Sequence, residues 1–133
     1  MTRVLVIDDD TWVRATVTLL LTSNGFEVVT AESGDAGLAI FEASHFDLVI
    51  VDIYMPGKDG VKIIKALRAR TANLPIIAIS GKLLNVTGRT ALDFFGMAPA
   101  FANLVCLKKP FRPDQLFQAV RNAIDVALLQ PAQ

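Results

Sequence analysis

Four short apolar runs in this chain end in residues that could bind a cation and a phosphoryl group. Val4-Leu5-Val6-Ile7 runs into Asp8-Asp9-Asp10, and Leu48-Val49-Ile50-Val51 runs into Asp52. Ile76-Ile77-Ala78-Ile79 leads to Ser80-Gly81, and Leu104-Val105-Cys106-Leu107 to Lys108-Lys109-Pro110. If the runs are strands of one open parallel sheet, these endings share a rim, because ligands in such sheets bind beyond the carboxyl ends of the strands. Carboxylates gathered there repel one another and resist full ionisation unless a cation offsets them. Hard oxygen ligands with room for water and phosphate favour Mg²⁺. A lysine facing them suits a phosphoryl oxygen as a point charge.

The elements that must position these residues follow from the pattern around them. The runs Val4–Ile7, Leu48–Val51 and Ile76–Ile79 are continuous, as in strands covered on both faces, and Glu27-Val28-Val29-Thr30 supplies a further β-branched segment. Between the runs, apolar residues recur at helical spacing over 11–23 (Val13, Val17, Leu20, Leu21), 34–43 (Leu38, Phe41), 60–70 (Val61, Ile64, Leu67) and 113–129 (Leu116, Phe117, Val120, Ile124). Asn24-Gly25 suits a left-handed cap after the first helix. Asp59 can cap the third helix, Pro75 opens the fourth strand, and Pro113 with Asp114 suits the first turn of the last helix. A further helix is expected near 89–101, interrupted by Gly88, Gly96 and Pro99. The reading is α/β: a doubly wound, five-stranded parallel sheet with helices on both faces.

Composition excludes several classes. Thirteen basic residues balance thirteen acidic ones, so there is no general attraction to nucleic acid. The zero hides a split: residues 1–60 hold ten acids and three bases, residues 61–133 three acids and ten bases. Because strands and helices alternate straight through residue 60, the split does not mark two domains, and residues 1–133 are expected to form one. A chain 53% hydrophobic can bury a core. Its apolar runs fall well short of the ~18 residues that cross a bilayer. The start MTRVLVI runs at once into aspartates, unlike a secretory leader. A single cysteine, Cys106, fits a reducing compartment, so a cytoplasmic location is expected.

Four ordered pieces, Val6-Ile7-Asp8-Asp9-Asp10, Asp47 to Gly60, Ile79-Ser80-Gly81 and Lys109-Pro110-Phe111, resemble the receiver domain of two-component response regulators, over roughly residues 3–129. That resemblance implies a flavodoxin-like sheet of order 2-1-3-4-5. It implies that Asp52 is the phosphoacceptor, taking the group from a phosphohistidine on a histidine kinase or histidine phosphotransfer protein. It further implies that Mg²⁺ is held by Asp9, Asp52 and the Tyr54 carbonyl, with Asp8 acting mainly through a water on the metal. Ser80 would bond one phosphoryl oxygen and Lys109 another, with a cis bond at Lys109-Pro110. Met55-Pro56 and Gly60 would shape the loop presenting Asp52. Such a protein is primarily a signalling phosphoacceptor, catalysing only its own phosphorylation and slow dephosphorylation. It contacts neither nucleic acid nor membrane directly, and is a monomer or a weak dimer through the helix near 89–101, the fifth strand and the last helix. With the last helix ending near 129, no output domain is expected, and output passes by protein contact or by relay to another histidine.

Two departures stand out. The family often has Tyr or Phe three residues before the strand-five lysine, where this chain has Cys106, and the connection after Ser80 is several residues long. They leave room for an alternative, a degenerate receiver that binds a partner without being phosphorylated; the complete set Asp8, Asp9, Asp52, Ser80 and Lys109 argues against it. A phosphatase of the haloacid dehalogenase type also has aspartates after its first strand, but Trp12 stands where that motif wants Thr or Val. Solubilising loop aspartates would need no Ser80 and Lys109 in register with them. Cys106 reads as a small buried strand residue, His45 as a loop residue, Trp12 as helix packing near the site mouth, and Phe94, Phe95 and Phe101 as mostly core. Lys62, Lys65, Arg68 and Arg70 read as a solvated helix face.

Overall fold

The computed structural model describes residues 2–53, 60–81 and 104–128. Five parallel strands, β1 (Arg3–Ile7), β2 (Glu27–Ala31), β3 (Leu48–Asp52), β4 (Ile76–Ser80) and β5 (Val105–Lys108), form one sheet of order β2-β1-β3-β4-β5. Among the described residues four helices lie between and after them: α1 (Thr11–Thr22), α2 (Gly34–Ala43), α3 (Gly60–Arg70) and α4 (Pro113–Leu128). The helix expected near 89–101, with Phe94, Phe95 and Phe101, lies outside the described residues, as do Tyr54, Met55-Pro56 and the expected Asp59 cap.

The pleat of the strands decides which helix goes where, because successive side chains leave opposite faces. Leu5, Ile7, Val49, Val51, Ile76 and Ala78 pack on one face with Ile63, Ile64 and Leu67 of α3 and with Leu38 and Phe41 of α2. Val4, Val6, Leu48, Ile50, Ile77 and Ile79 pack on the other with Val17 and Leu21 of α1 and with Leu116, Ala119, Val120 and Ala123 of α4. Every residue of β3 and β4 is buried, as a strand covered on both faces requires.

Local signals stop and start the elements, Gly25 as expected and Ser33 in addition. Gly25 takes φ +88°, where a side chain would be strained, and its N–H reaches the Thr22 carbonyl to end α1. Ser33 Oγ caps α2 by accepting the Ala36 N–H at 3.2 Å. Register does the rest. Ile7 pairs with Val51, Asp52 with Ile79, and Ser80 with Lys108. The chemically loaded ends of β1, β3, β4 and β5 therefore finish at nearly the same height.

Two surface expectations shift. Trp12 does not pack into the body of the protein; it is 82% exposed, because α1 turns Val13 and Val17 toward the sheet instead. Arg68 is half-buried rather than solvated, and its Nη1 donates to the Ala72 carbonyl at 2.9 Å, tying down the end of α3. His45 is exposed and pairs with Asp47 at 3.0 Å. No described helix is long and apolar enough to cross a membrane.

Candidate metal centre

Asp8 is the first residue past β1, and its N–H extends the ladder by bonding to the Ala31 carbonyl at 3.1 Å. This draws its side chain into the protein, where it is fully buried. Asp8 Oδ1 accepts the Asp10 N–H at 2.8 Å. Asp52, the last residue of β3, pairs with Ile79 of β4 and is 3% exposed. Asp9, between Asp8 and the start of α1, is exposed. Each of the three aspartates offers a carboxylate oxygen within 4.8 Å of the others.

Lys109 closes the group from the far edge. Its N–H bonds to the Ser80 carbonyl at 2.8 Å, continuing the β4–β5 ladder. Its Nζ stands 3.0 Å from Asp52 Oδ2 and 3.1 Å from Asp8 Oδ2. The Lys109-Pro110 peptide is cis. Ser80, 3% exposed at the end of β4, stands beside Lys109 on the rim. Gly60, at the start of α3, comes so close to the end of β3 that a Cβ there would lie 2.3 Å from Ile53 Cα and 2.5 Å from the Asp52 carbonyl oxygen. Only glycine lets the start of α3 approach the end of β3 so closely.

The electrostatics have a clear direction. Burial pushes the Asp8 carboxyl above its usual pKa; the Asp10 N–H works against that rise and the Asp52 charge adds to it. For Lys109, burial works to lower the pKa, but the Asp52 and Asp8 carboxylates outweigh it and hold the ammonium above its ordinary value. With all four groups ionised, three carboxylates and one ammonium leave two negative charges, which one divalent cation would neutralise.

Asp8 Oδ2 carries the test of whether these residues fit such an ion. It is buried, and the contact it makes among the described residues is with the Lys109 ammonium at 3.1 Å, which it shares with Asp52. One ammonium shared between two buried carboxylates leaves their charge under-compensated, and a cation or its water shell would complete the compensation. On one octahedral Mg²⁺, oxygens lie about 3.0 Å apart when cis and about 4.2 Å when trans, given Mg–O near 2.1 Å. The carboxylate oxygens, all within 4.8 Å of one another, leave room for such an ion with water completing its shell, and the all-oxygen donor set suits Mg²⁺.

Of the residues singled out from the sequence, Asp8, Asp9, Asp52, Ser80 and Lys109 come together at this rim, while Tyr54 lies outside the described residues. Cys106 is half-buried on β5, and burial pushes its thiol pKa up to about 11. Two roles were missed. Asp10 caps α1, its Oδ1 accepting the Trp12 N–H at 2.9 Å; an Asp directly before a helical run was the available signal. Arg14 reaches back from α1 and donates through Nη1 to the Asp8 carbonyl at 2.6 Å, a bond no motif announces. Beside them an open cleft of about 420 Å³ is lined by Trp12, Val13, Thr16, Lys109, Pro110 and Phe111.

Comparison with known proteins agrees with this geometry. The family model for the response regulator receiver domain matches residues 4–121. The probable transcriptional regulator ycf27 of Cyanophora paradoxa is 33% identical over 122 residues, 92% of this chain and 48% of that protein. The chain thus spans about half the length of the curated relatives it matches. Among solved structures, the chemotaxis protein CheY4 of Vibrio cholerae superposes with a TM-score of 0.80 at 29% identity, covering 92% of this chain and 98% of that one. The response regulator TrrA of Thermotoga maritima, solved in complex with Mg²⁺-BeF, gives a TM-score of 0.75 at 29% identity over 92% of this chain and 99% of that one. A family match covering most of the chain, on a sheet of the expected strand order, shows that this chain belongs to the response regulator receiver domain family.

Proposed function

We propose that this domain is a working phosphoacceptor: Asp52 takes a phosphoryl group from a phosphohistidine on a histidine kinase or phosphotransfer protein, in a Mg²⁺-dependent reaction. The observation that carries the reading is the Lys109 ammonium standing 3.0 Å from the buried Asp52 Oδ2, in one group with buried Asp8 and exposed Asp9. A degenerate receiver would have no need of that arrangement. The relative solved with Mg²⁺-BeF supports the same reading.

An Asp52 carboxylate oxygen attacks phosphorus in line, forming the O–P bond of an acyl phosphate. The P–N bond breaks, and its electron pair leaves on the protonated imidazole of the donor. Asp9, Asp52 and the Tyr54 carbonyl would hold the metal, with Asp8 behind them. When bound, Mg²⁺ neutralises charge gathering on the equatorial phosphoryl oxygens. Lys109 exchanges its Asp52 contact for one of those oxygens, and the Ser80 hydroxyl donates to another. The end of β3, packed under Gly60, holds Asp52 on a rigid element, so little reorganisation is left for the reaction itself.

Phosphorylation adds charge beside Ser80 and Lys109, and that change would bias a two-state equilibrium read by a partner protein. Output is then protein contact or onward relay to another histidine, in the cytoplasm. The test is incubation with Mg²⁺ and a small phosphodonor followed by intact mass. One added phosphoryl group, absent in Asp52→Asn, is expected; no adduct at any Mg²⁺ concentration would leave the degenerate, partner-binding receiver as the better reading.

A further inference from the structure

We propose that Arg14 is a positioning residue for the metal ligand Asp9, acting through the peptide bond that joins Asp8 to Asp9. The proposal rests on Asp9 being a ligand, as argued above.

Arg14 is half-buried in the first turns of α1. Its N–H bonds to the Asp10 carbonyl at 3.1 Å. Its guanidinium returns toward the strand end, donating through Nη1 to the Asp8 carbonyl at 2.6 Å and through Nη2 to Thr11 Oγ1 at 3.3 Å. The carbonyl it grips belongs to the peptide unit that carries the Cα of Asp9. Because that unit is planar, fixing the oxygen fixes the plane from which Asp9 departs. The unit before it is fixed by the ladder bond from the Asp8 N–H to the Ala31 carbonyl. Asp10 is fixed by its N–H on Asp8 Oδ1 and by its cap on Trp12. Arg14 supplies the remaining restraint on the turn, and Asp9, exposed and thus without close packing around its carboxylate, depends on it most.

The same guanidinium is also a positive charge near a cation site. Orientation and repulsion predict opposite outcomes, which makes the role decidable. If Arg14 works by holding the peptide, Arg14→Gln weakens Mg²⁺ binding. If its charge dominates, Arg14→Gln tightens it. Lysine can reach one oxygen but cannot fork between the Asp8 carbonyl and Thr11, so Arg14→Lys should fall between wild type and Arg14→Gln.

The experiment is a Mg²⁺ titration of the intact protein followed by Trp12 fluorescence and repeated by calorimetry, with Asp9→Asn alongside. The expected result is a Kd raised about tenfold in Arg14→Gln, the lower end of what losing a support behind a ligand costs, and raised less in Arg14→Lys. Phosphorylation by a small donor should slow at low Mg²⁺ and recover toward the wild-type rate at saturating Mg²⁺, a split that general loss of structure would not produce. An Arg14→Gln Kd that is unchanged or lower overturns the proposal. So does a rate that stays depressed at saturating Mg²⁺. If Asp9→Asn also leaves Mg²⁺ affinity unchanged, the assignment of Asp9 as ligand fails instead; if it weakens affinity and Arg14→Gln does not, only the role of Arg14 falls.

Discussion

The Lys109 ammonium nitrogen and Asp52 Oδ2 stand 3.0 Å apart, joined from the ends of β5 and β3 across β4. Lys109 is the one described cation in contact with both buried carboxylates. Lys109→Met should therefore leave Mg²⁺ binding in place while removing the charge that meets a phosphoryl oxygen. We expect acyl phosphate formation to slow about 100-fold or more, the scale on which losing one aimed charge-stabilising donor acts. Single-turnover phosphorylation at saturating Mg²⁺ reads it directly, and a rate within a few-fold of wild type would remove Lys109 from the chemistry.

Metal should stabilise the fold, since the site exists only when β1 and β3 are in register. At a Mg²⁺ concentration 100 times its Kd, the gain is about 2.7 kcal/mol. Urea unfolding with and without Mg²⁺ measures it, and chelation should reverse it. Asp9→Asn should lose most of the gain. An identical increment in Asp9→Asn and wild type would mean the ion binds elsewhere.

Asp8 gives a pH dependence of definite sign. Its pKa is raised in the folded protein, chiefly by burial, so the native state binds more protons than the unfolded chain between the ordinary value of 3.8 and the raised one. Stability from this group is fully present below the unfolded pKa and is lost as pH rises through the folded pKa. In the absence of Mg²⁺, Asp8→Asn should then be more stable than wild type at neutral pH, with the difference shrinking as pH falls toward 3.8. Denaturation curves at several pH values check it; an Asp8→Asn protein less stable than wild type at pH 7 would contradict the assigned direction.

Gly60 and Gly37 make a matched pair of probes. A Cβ on Gly60 meets the main chain of Asp52 and Ile53, whereas one on Gly37 meets the Ile7 side chain at 2.4 Å. A side chain can change rotamer and the backbone of a central strand cannot. Both substitutions to alanine overpack, at a cost of about 1–3 kcal/mol, with Gly60→Ala the more costly. Gly60→Ala should also slow phosphorylation by displacing Asp52, while Gly37→Ala should not. Equal phosphorylation rates in the two variants would show that the close approach of α3 does not position the acceptor.

Much of this was legible in the sequence because the pleat and the helix period write themselves into residue type. The continuous apolar runs Leu48–Val51 and Ile76–Ile79 could only be strands covered twice, and the aspartates after them had to share a rim. Trp12 was misjudged because helical spacing gives a face but not which neighbour fills the space beside it; Val13 and Val17 took the inward positions. Arg68 was misjudged because a long side chain can bury its stem and return its charge to a carbonyl of its own helix end, which no pattern of charges reveals. The bond from Arg14 to the Asp8 carbonyl was invisible for a related reason: its acceptor is main chain, and main-chain acceptors have no residue type.

Cys106 occupies the position where an aromatic ring is common in this family, and its surroundings make it inert. Burial on β5 pushes its thiol pKa up to about 11. At pH 8 roughly 0.1% would then be thiolate, against about a quarter of a free thiol near pKa 8.5. Alkylation of the native protein should be slower than that of the urea-unfolded chain by at least two orders of magnitude, the sum of low thiolate fraction and restricted access. The same labelling after phosphorylation tests output coupling, because Cys106 pairs with Ala78 in the strand that ends at Ser80. If charge at Asp52 repacks β4 against β5, the labelling rate of Cys106 should rise. A rate unmoved by phosphorylation would mean the signal leaves the site by a path that bypasses this strand pair.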